Sequence, residues 1–154
     1  MKLKILSVGK IKEKWLRAGI DEYSKRLSRF VILDMPEVPD SPDNLSAQVS
    51  MKQEGERILA KLQPQDFVVL VDLHGREMDS VEFSKQIRTW QELSGDRVVF
   101  VIAGSQGYDP SVRERAQASV CLSQLTFPHQ MVRLILLEQL YRGFKILNGE
   151  KYHK

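Results

Sequence analysis

Apolar positions along this chain follow two alternating rhythms, one of period two and one of helical period. Lys2–Val8 (KLKILSV) alternates polar and apolar residues and predicts a first strand, closed by Gly9. Lys14–Ser28 sets Trp15, Leu16, Ile20, Tyr23 and Leu27 at helical spacing. Val31–Val38 predicts a second strand; Pro36 within it has no N–H to give a neighbour, which places that strand at a sheet edge. Pro39–Asp43 (PDSPD) predicts a loop and Ser46–Leu62 a helix. Phe67–Asp72 (FVVLVD) and Arg97–Ala103 (RVVFVIA) are short and almost wholly apolar, the pattern of strands covered on both faces. Between them, Ser80–Leu93 carries Val81, Phe83, Ile87 and Trp90 at helical spacing. Asp109-Pro110 predicts a helix start, Asp as cap and Pro in the first turn. A fifth short strand follows at Ser119–Leu122, then a long helix from His129 to Leu147 that Asn148-Gly149 stops.

Strands alternate with helices throughout, so the class is α/β with a mostly parallel sheet flanked by helices. No linker, repeat or low-complexity segment interrupts residues 1–154, which predicts one domain. The last helix carries Met131, Val132, Leu134–Leu137, Leu140, Tyr141, Phe144, Ile146 and Leu147, a stripe wider than one sheet face requires. Either that helix is central, or a twofold-related copy covers its outer side. No apolar run reaches the ~18–20 residues of a membrane span, and the apolar run in MKLKILSVGK is too short for a secretory signal. A cytoplasmic protein is expected. Cys121 is the one cysteine, which excludes an intrachain disulfide and a cysteine-rich metal site; no metal is expected.

Net charge is +3, but it is unevenly spread. Residues 1–30 hold nine Lys/Arg against three Asp/Glu, and residues 123–154 five against two, while the stretch between is acidic. If the two basic ends meet, they form a surface suited to a phosphate backbone; otherwise Lys10, Lys12, Lys14 and Arg17 only solvate a helix start.

Ligands of such sheets bind at the carboxyl ends of strands. Three ends compete here: Val71–Gly75, Ala103–Gly107 and Leu122–Pro128. The first strand is followed only by Gly9, so the glycine fingerprint of a dinucleotide fold is missing, as is a P-loop. Gly104 and Gly107 alone fit an ordinary turn as well as a ligand loop. The third end is unusual, because Leu125, Phe127 and Pro128 are apolar where a surface loop is normally polar. That loop either packs on the core or lines a pocket with flat apolar walls.

The segments VIAGSQG (Val101–Gly107), LSQLTFPHQMVRLILLEQLYRGFKI (Leu122–Ile146) and terminal YHK resemble the RlmH family of SPOUT methyltransferases. KILSVGKIKEKW and KQEGERIL match as well, so the resemblance spans essentially the whole chain. It implies a SPOUT-type fold with a C-terminal trefoil knot, a homodimer, and S-adenosyl-L-methionine as cofactor. It further implies methylation of N3 of a pseudouridine in helix 69 of large-subunit ribosomal RNA, on the assembled ribosome. Carried over by position, the cofactor contacts fall on Val71, Ala103, Gly104, Leu122, Ser123, Gln124, Leu125, Thr126 and Phe127. Ala103 departs from a family glycine; it would be strained if that position needs a positive φ, and would only narrow the pocket if not. Activity is expected to survive either way.

Candidates to accept the N3 proton are His129, Glu138 and His153, each with a plainer reading: a helix start, an i+4 partner for Arg142, and a free terminus. Arg133, Arg142, Lys151 and Lys154 are assigned to RNA phosphates, with Tyr152 and His153 able to stack on an unpaired base. Two rivals stay open: an RNA-binding protein of this fold without transferase activity, and an α/β enzyme acting on a small nucleotide.

Overall fold

The computed structural model describes residues 1–153. Its strands are β1 (Lys2–Val8), β2 (Ile32–Asp34), β3 (Glu37–Val38), β4 (Phe67–Glu77), β5 (Val98–Ile102) and β6 (Ala118–Cys121). The helices are α1 (Lys14–Leu27), α2 (Ala47–Ala60), α3 (Ser80–Ser94), α4 (Pro110–Arg115) and α5 (His129–Leu147). All the strand pairings are parallel, in the order β2-β1-β5-β4-β6, with β3 continuing beside β1. The expected class is therefore observed.

The stretch expected as one strand over Val31–Val38 is two short strands, broken at Met35-Pro36. Both lie along β1 at the sheet edge, and the break is where proline cannot donate. The helix starts follow local chemistry. Ser46, Asp79 and Asp109 cap α2, α3 and α4 by accepting from the N–H of Val49, Glu82 and Ser111. Gly95 ends α3 in the left-handed conformation.

Alternation along the strands sorts the core into two layers. Leu3, Ile5, Val69, Val98, Phe100 and Ile102 face α1, α3 and α5, while Leu6, Val8, Val68, Leu70, Val99 and Val101 face α2 and α4. β5 is buried on both faces, as its apolar run required. α5 packs between α1 and α3, and none of its residues is classed as exposed. Its broad apolar stripe is thus used largely within the chain: the helix is central, the first of the two alternatives above. Among the described residues no helix is long and apolar enough to cross a membrane.

β4 runs five residues beyond the expected end at Asp72. Val71 and Arg76 both stand in register with Val120 of β6, so residues 72–75 arch away and return to the same neighbour. The return brings Gly75 so close to β6 that a Cβ there would lie 2.6 Å from the Val120 carbonyl carbon. This arch shapes one wall of the site below.

Candidate active site

Three strand ends converge as anticipated. The exits of β4, β5 and β6 surround a cavity of ≈ 360 Å³. Val71, Asp72 and Leu73 line it from β4, Ile102 to Ser105 with Gly107 and Tyr108 from β5, and Leu122, Ser123 and Leu125–Val132 (save Gln130 and Met131) from β6 and the start of α5. Of the nine expected cofactor residues, eight line the cavity. Gln124 does not; its side-chain amide donates to Glu77 at the end of β4, beyond the arch. The apolar loop is not packed on the core, since Leu125 is 71% exposed. Apolar side chains at the mouth of a cleft are what a flat ring would cover.

Tyr108 braces the floor. Its hydroxyl stands 2.6 Å from the carbonyl oxygens of both Val71 and Val101, and it accepts from the Ala103 N–H at 3.4 Å. One buried phenol thus ties the ends of β4 and β5 together, and burial pushes its pKa well above the ordinary range. Sequence reading passed over it, because a tyrosine four residues past a glycine carries no signal of where its hydroxyl will reach. Ala103 itself is unstrained: the sole non-glycine residue with positive φ among those described is Asp96. Its methyl narrows the pocket and does nothing worse. Gly104 is needed for room, since a Cβ there would fall 2.8 Å from Glu54 Oε1 and 3.2 Å from Val8 Cγ1.

The proposed bases separate in space. His129 lines the cavity at the first turn of α5. Burial, reinforced by the nearby positive charge of Arg133, lowers its pKa from the ordinary 6.5, against an opposing pull from Asp40 and Glu54. The imidazole is therefore neutral at pH 7 and able to accept a proton. Protonation below 6.5 is harder in the folded chain than in the unfolded one. Stability from this group is thus complete above that value and lost as the pH falls through the folded pKa. Thermal unfolding from pH 8 down to 5 is expected to show this acid loss in the native chain and a smaller one in His129→Asn.

Glu138 and His153 lie elsewhere. Glu138 pairs with Arg142 at i+4, accepts from Gln139 Nε2 at 2.8 Å, and receives the Tyr152 hydroxyl at 3.3 Å. The Tyr152 ring packs edge-on to Tyr141 with centroids 5.0 Å apart, under the Arg142 guanidinium at 4.8 Å. His153 Nδ1 is 3.2 Å from Arg142 Nη1. The tail is docked on α5, and none of these residues touches the cavity. Lys151 is exposed on the same segment, and Lys154 lies outside the described residues.

Arg133 departs from its expected role. It is 3% exposed; its guanidinium donates to Glu37 and to the carbonyls of Val8 (3.3 Å) and Gly9 (2.7 Å). The charge is committed to fastening α5 to the β1 and β3 ends. Arg133→Met is expected to cost about 2–3 kcal/mol in urea unfolding while leaving the salt slope of RNA binding unchanged. A slope lowered by one unit at full stability would restore the phosphate role.

The whole described chain, residues 1–153, matches the family model described as "Predicted SPOUT methyltransferase". It is 48% identical to "Ribosomal RNA large subunit methyltransferase H" of Acetivibrio thermocellus, with 100% of both chains covered. The chain belongs to the RlmH family of SPOUT methyltransferases. A second relative of the same name, from Carboxydothermus hydrogenoformans, is 47% identical, again over 100% of each chain. Among solved structures, "Crystal structure of the SpoU Methyltransferase AviRb from Streptomyces viridochromogenes" aligns with 98% of this chain and 62% of its own, at 16% identity and a TM-score of 0.48. Membership of a methyltransferase family implies a methyl-donor cofactor.

Proposed function

We propose that this SPOUT methyltransferase uses S-adenosyl-L-methionine to methylate N3 of a pseudouridine in helix 69 of large-subunit ribosomal RNA, on the assembled ribosome in the cytoplasm. The observation that carries this reading is the apolar-walled cavity at three strand ends, rimmed by an exposed Leu125, in a chain of this family. The relatives' printed name supports the RNA class.

The cavity fits the donor chemically. Val71, Leu122, Leu125 and Phe127 offer apolar walls to a purine, while Ala103, Gly104, Ser123 and Thr126 offer backbone and hydroxyl groups for its edge. When bound, the sulfonium supplies a methyl already activated for in-line displacement, the S–CH₃ electron pair staying on sulfur. The protein's work is then to position the acceptor and take the N3 proton as the N–CH₃ bond forms. His129 is the base of this reading, because it alone of the three candidates borders the cavity, and burial lowers its own pKa so that its imidazole can accept a proton. Glu138 orients Arg142 and Tyr152 through the contacts above. Arg142, Lys151, Tyr152 and His153 face the RNA, helped by the basic residues Lys10, Lys12 and Lys14.

Two further parts belong to the same proposal. The chain threads its C-terminal segment as a trefoil knot, a reading supported by its membership of the family. It also works as a homodimer. Glu138 is nine residues along α5 from His129, so the tail cluster lies about 14 Å up the helix from its own pocket; a second copy would bring a tail to each pocket. The reading is tested by incubating the protein with ribosomes lacking the modification and mapping methyl groups by mass spectrometry. N3-methylpseudouridine in helix 69 is expected; tight RNA binding with no methyl gain would favour the non-catalytic rival.

A further inference from the structure

Glu54, on α2, is 5% exposed and lies directly behind the pocket wall. Its Oε2 accepts the Ser41 N–H at 2.9 Å, and its Oε1 is buried with no hydrogen-bond partner among the described residues. Oε1 would lie 2.8 Å from a Cβ on Gly104, and Gly104 lines the cavity. Only one glycine backbone therefore separates an enclosed carboxylate oxygen from the ligand space. The other acids near the site are matched: Asp72 pairs with Arg113, and Glu37 with Arg133. Lys12 and Asp40, the remaining charges near His129, are both exposed and so screened by solvent. Glu54 makes no ion pair among the described residues, and its field reaches the cavity through low-dielectric protein. A buried carboxylate oxygen without a partner is uncommon in folded chains and calls for a purpose.

We infer that Glu54 makes this pocket selective by charge, favouring a cationic sulfonium over the neutral thioether left once the methyl has gone. The inference rests on the donor assignment under Proposed function. Donor and product differ by one positive charge and one methyl group, so a fixed negative charge behind Gly104 acts almost entirely on the difference between them. Product is thereby expelled in favour of fresh donor without any moving part.

The test is calorimetry of the native chain and of Glu54→Gln with S-adenosyl-L-methionine and S-adenosyl-L-homocysteine. The isosteric amide keeps an acceptor for the Ser41 N–H. Expected is about a tenfold loss of donor affinity in Glu54→Gln, with product affinity held within about twofold. Equal losses for both ligands would make Glu54 a mere support of the Gly104 wall and overturn the inference, as would no loss at all. Should Glu54→Gln fail to fold, the native chain alone decides: donor must bind about tenfold tighter than product, and equal or inverted affinities overturn the inference. Binding of neither ligand would instead bring down the pocket assignment itself, and this inference with it.

Discussion

Gly75→Ala is expected to destabilise the folded chain by about 3 kcal/mol and to weaken donor binding as well. An added Cβ would sit 2.6 Å from the Val120 carbonyl carbon, 2.8 Å from the Val120 nitrogen and 2.9 Å from the Cys121 nitrogen. All three are backbone atoms of β6, so no flexible side-chain end can swing aside. Relief requires β6 to move away from the arch of β4, yet β6 is held in register on both sides of that arch, at Val69–Val71 and at Arg76–Glu77. Any displacement passes directly into Leu122 and Ser123, which line the cavity. The constraint is room and not backbone conformation, because Gly75 is absent from the positive-φ glycines. Gly95→Ala makes the informative contrast: its φ is +59° but nothing lies within 4 Å, so it is expected to cost only about 1 kcal/mol and to leave donor binding intact. Urea unfolding of both variants with unchanged m-values checks the stabilities. A Gly75→Ala midpoint level with that of Gly95→Ala would show that β6 yields easily.

Gly75 also shows where reading by pattern stops. Apolar rhythms recovered β1, β5, the first part of β4 and the helices α1, α3 and α5, because those rhythms report burial against one or two faces, while Asp109-Pro110 marked α4 through its cap. They carried no information about a strand that leaves its neighbour and comes back to it, so β4 was expected to end at Asp72. The pocket was legible because an apolar loop at a strand end is anomalous on local grounds: Leu125 and Phe127 needed a reason. Tyr108, Glu54 and Arg133 were not legible in the same way. Each acts across the sheet or between layers, on partners 37, 13 and 124 residues distant in sequence. A charged residue on a helix reads as solvated until the structure shows what lies opposite. That is why Arg133 was assigned to a phosphate and proved to be a fastening of α5. The width of the α5 stripe left two readings open for a related reason, since a helix flanked by two others on a sheet needs apolar residues around most of its circumference whether or not a second copy covers the rest.

Deleting Tyr152–Lys154 is expected to lower turnover at least about 100-fold while leaving donor affinity within about twofold. Binding should survive because neither Tyr152 nor His153 borders the cavity. Turnover should collapse because the tail completes the Glu138–Arg142–Tyr152–His153 cluster on α5, the group proposed to face the acceptor RNA. Displacing an acceptor by an ångström or so is enough for a loss of this size when the catalyst's contribution is alignment. Tyr152→Phe refines the point, since it keeps the packing on Tyr141 and removes only the hydroxyl that reaches Glu138; a smaller drop in turnover is expected, again with donor affinity unchanged. Unchanged turnover in the deletion would remove the tail from the site. Mixing decides whose tail serves which pocket. A tail-deleted chain co-refolded one to one with Ala103→Leu, whose side chain fills the cavity, gives no activity if each pocket uses its own tail. If a twofold partner supplies the tail, half of the assemblies are mixed and each has one intact site, so about a quarter of native turnover returns.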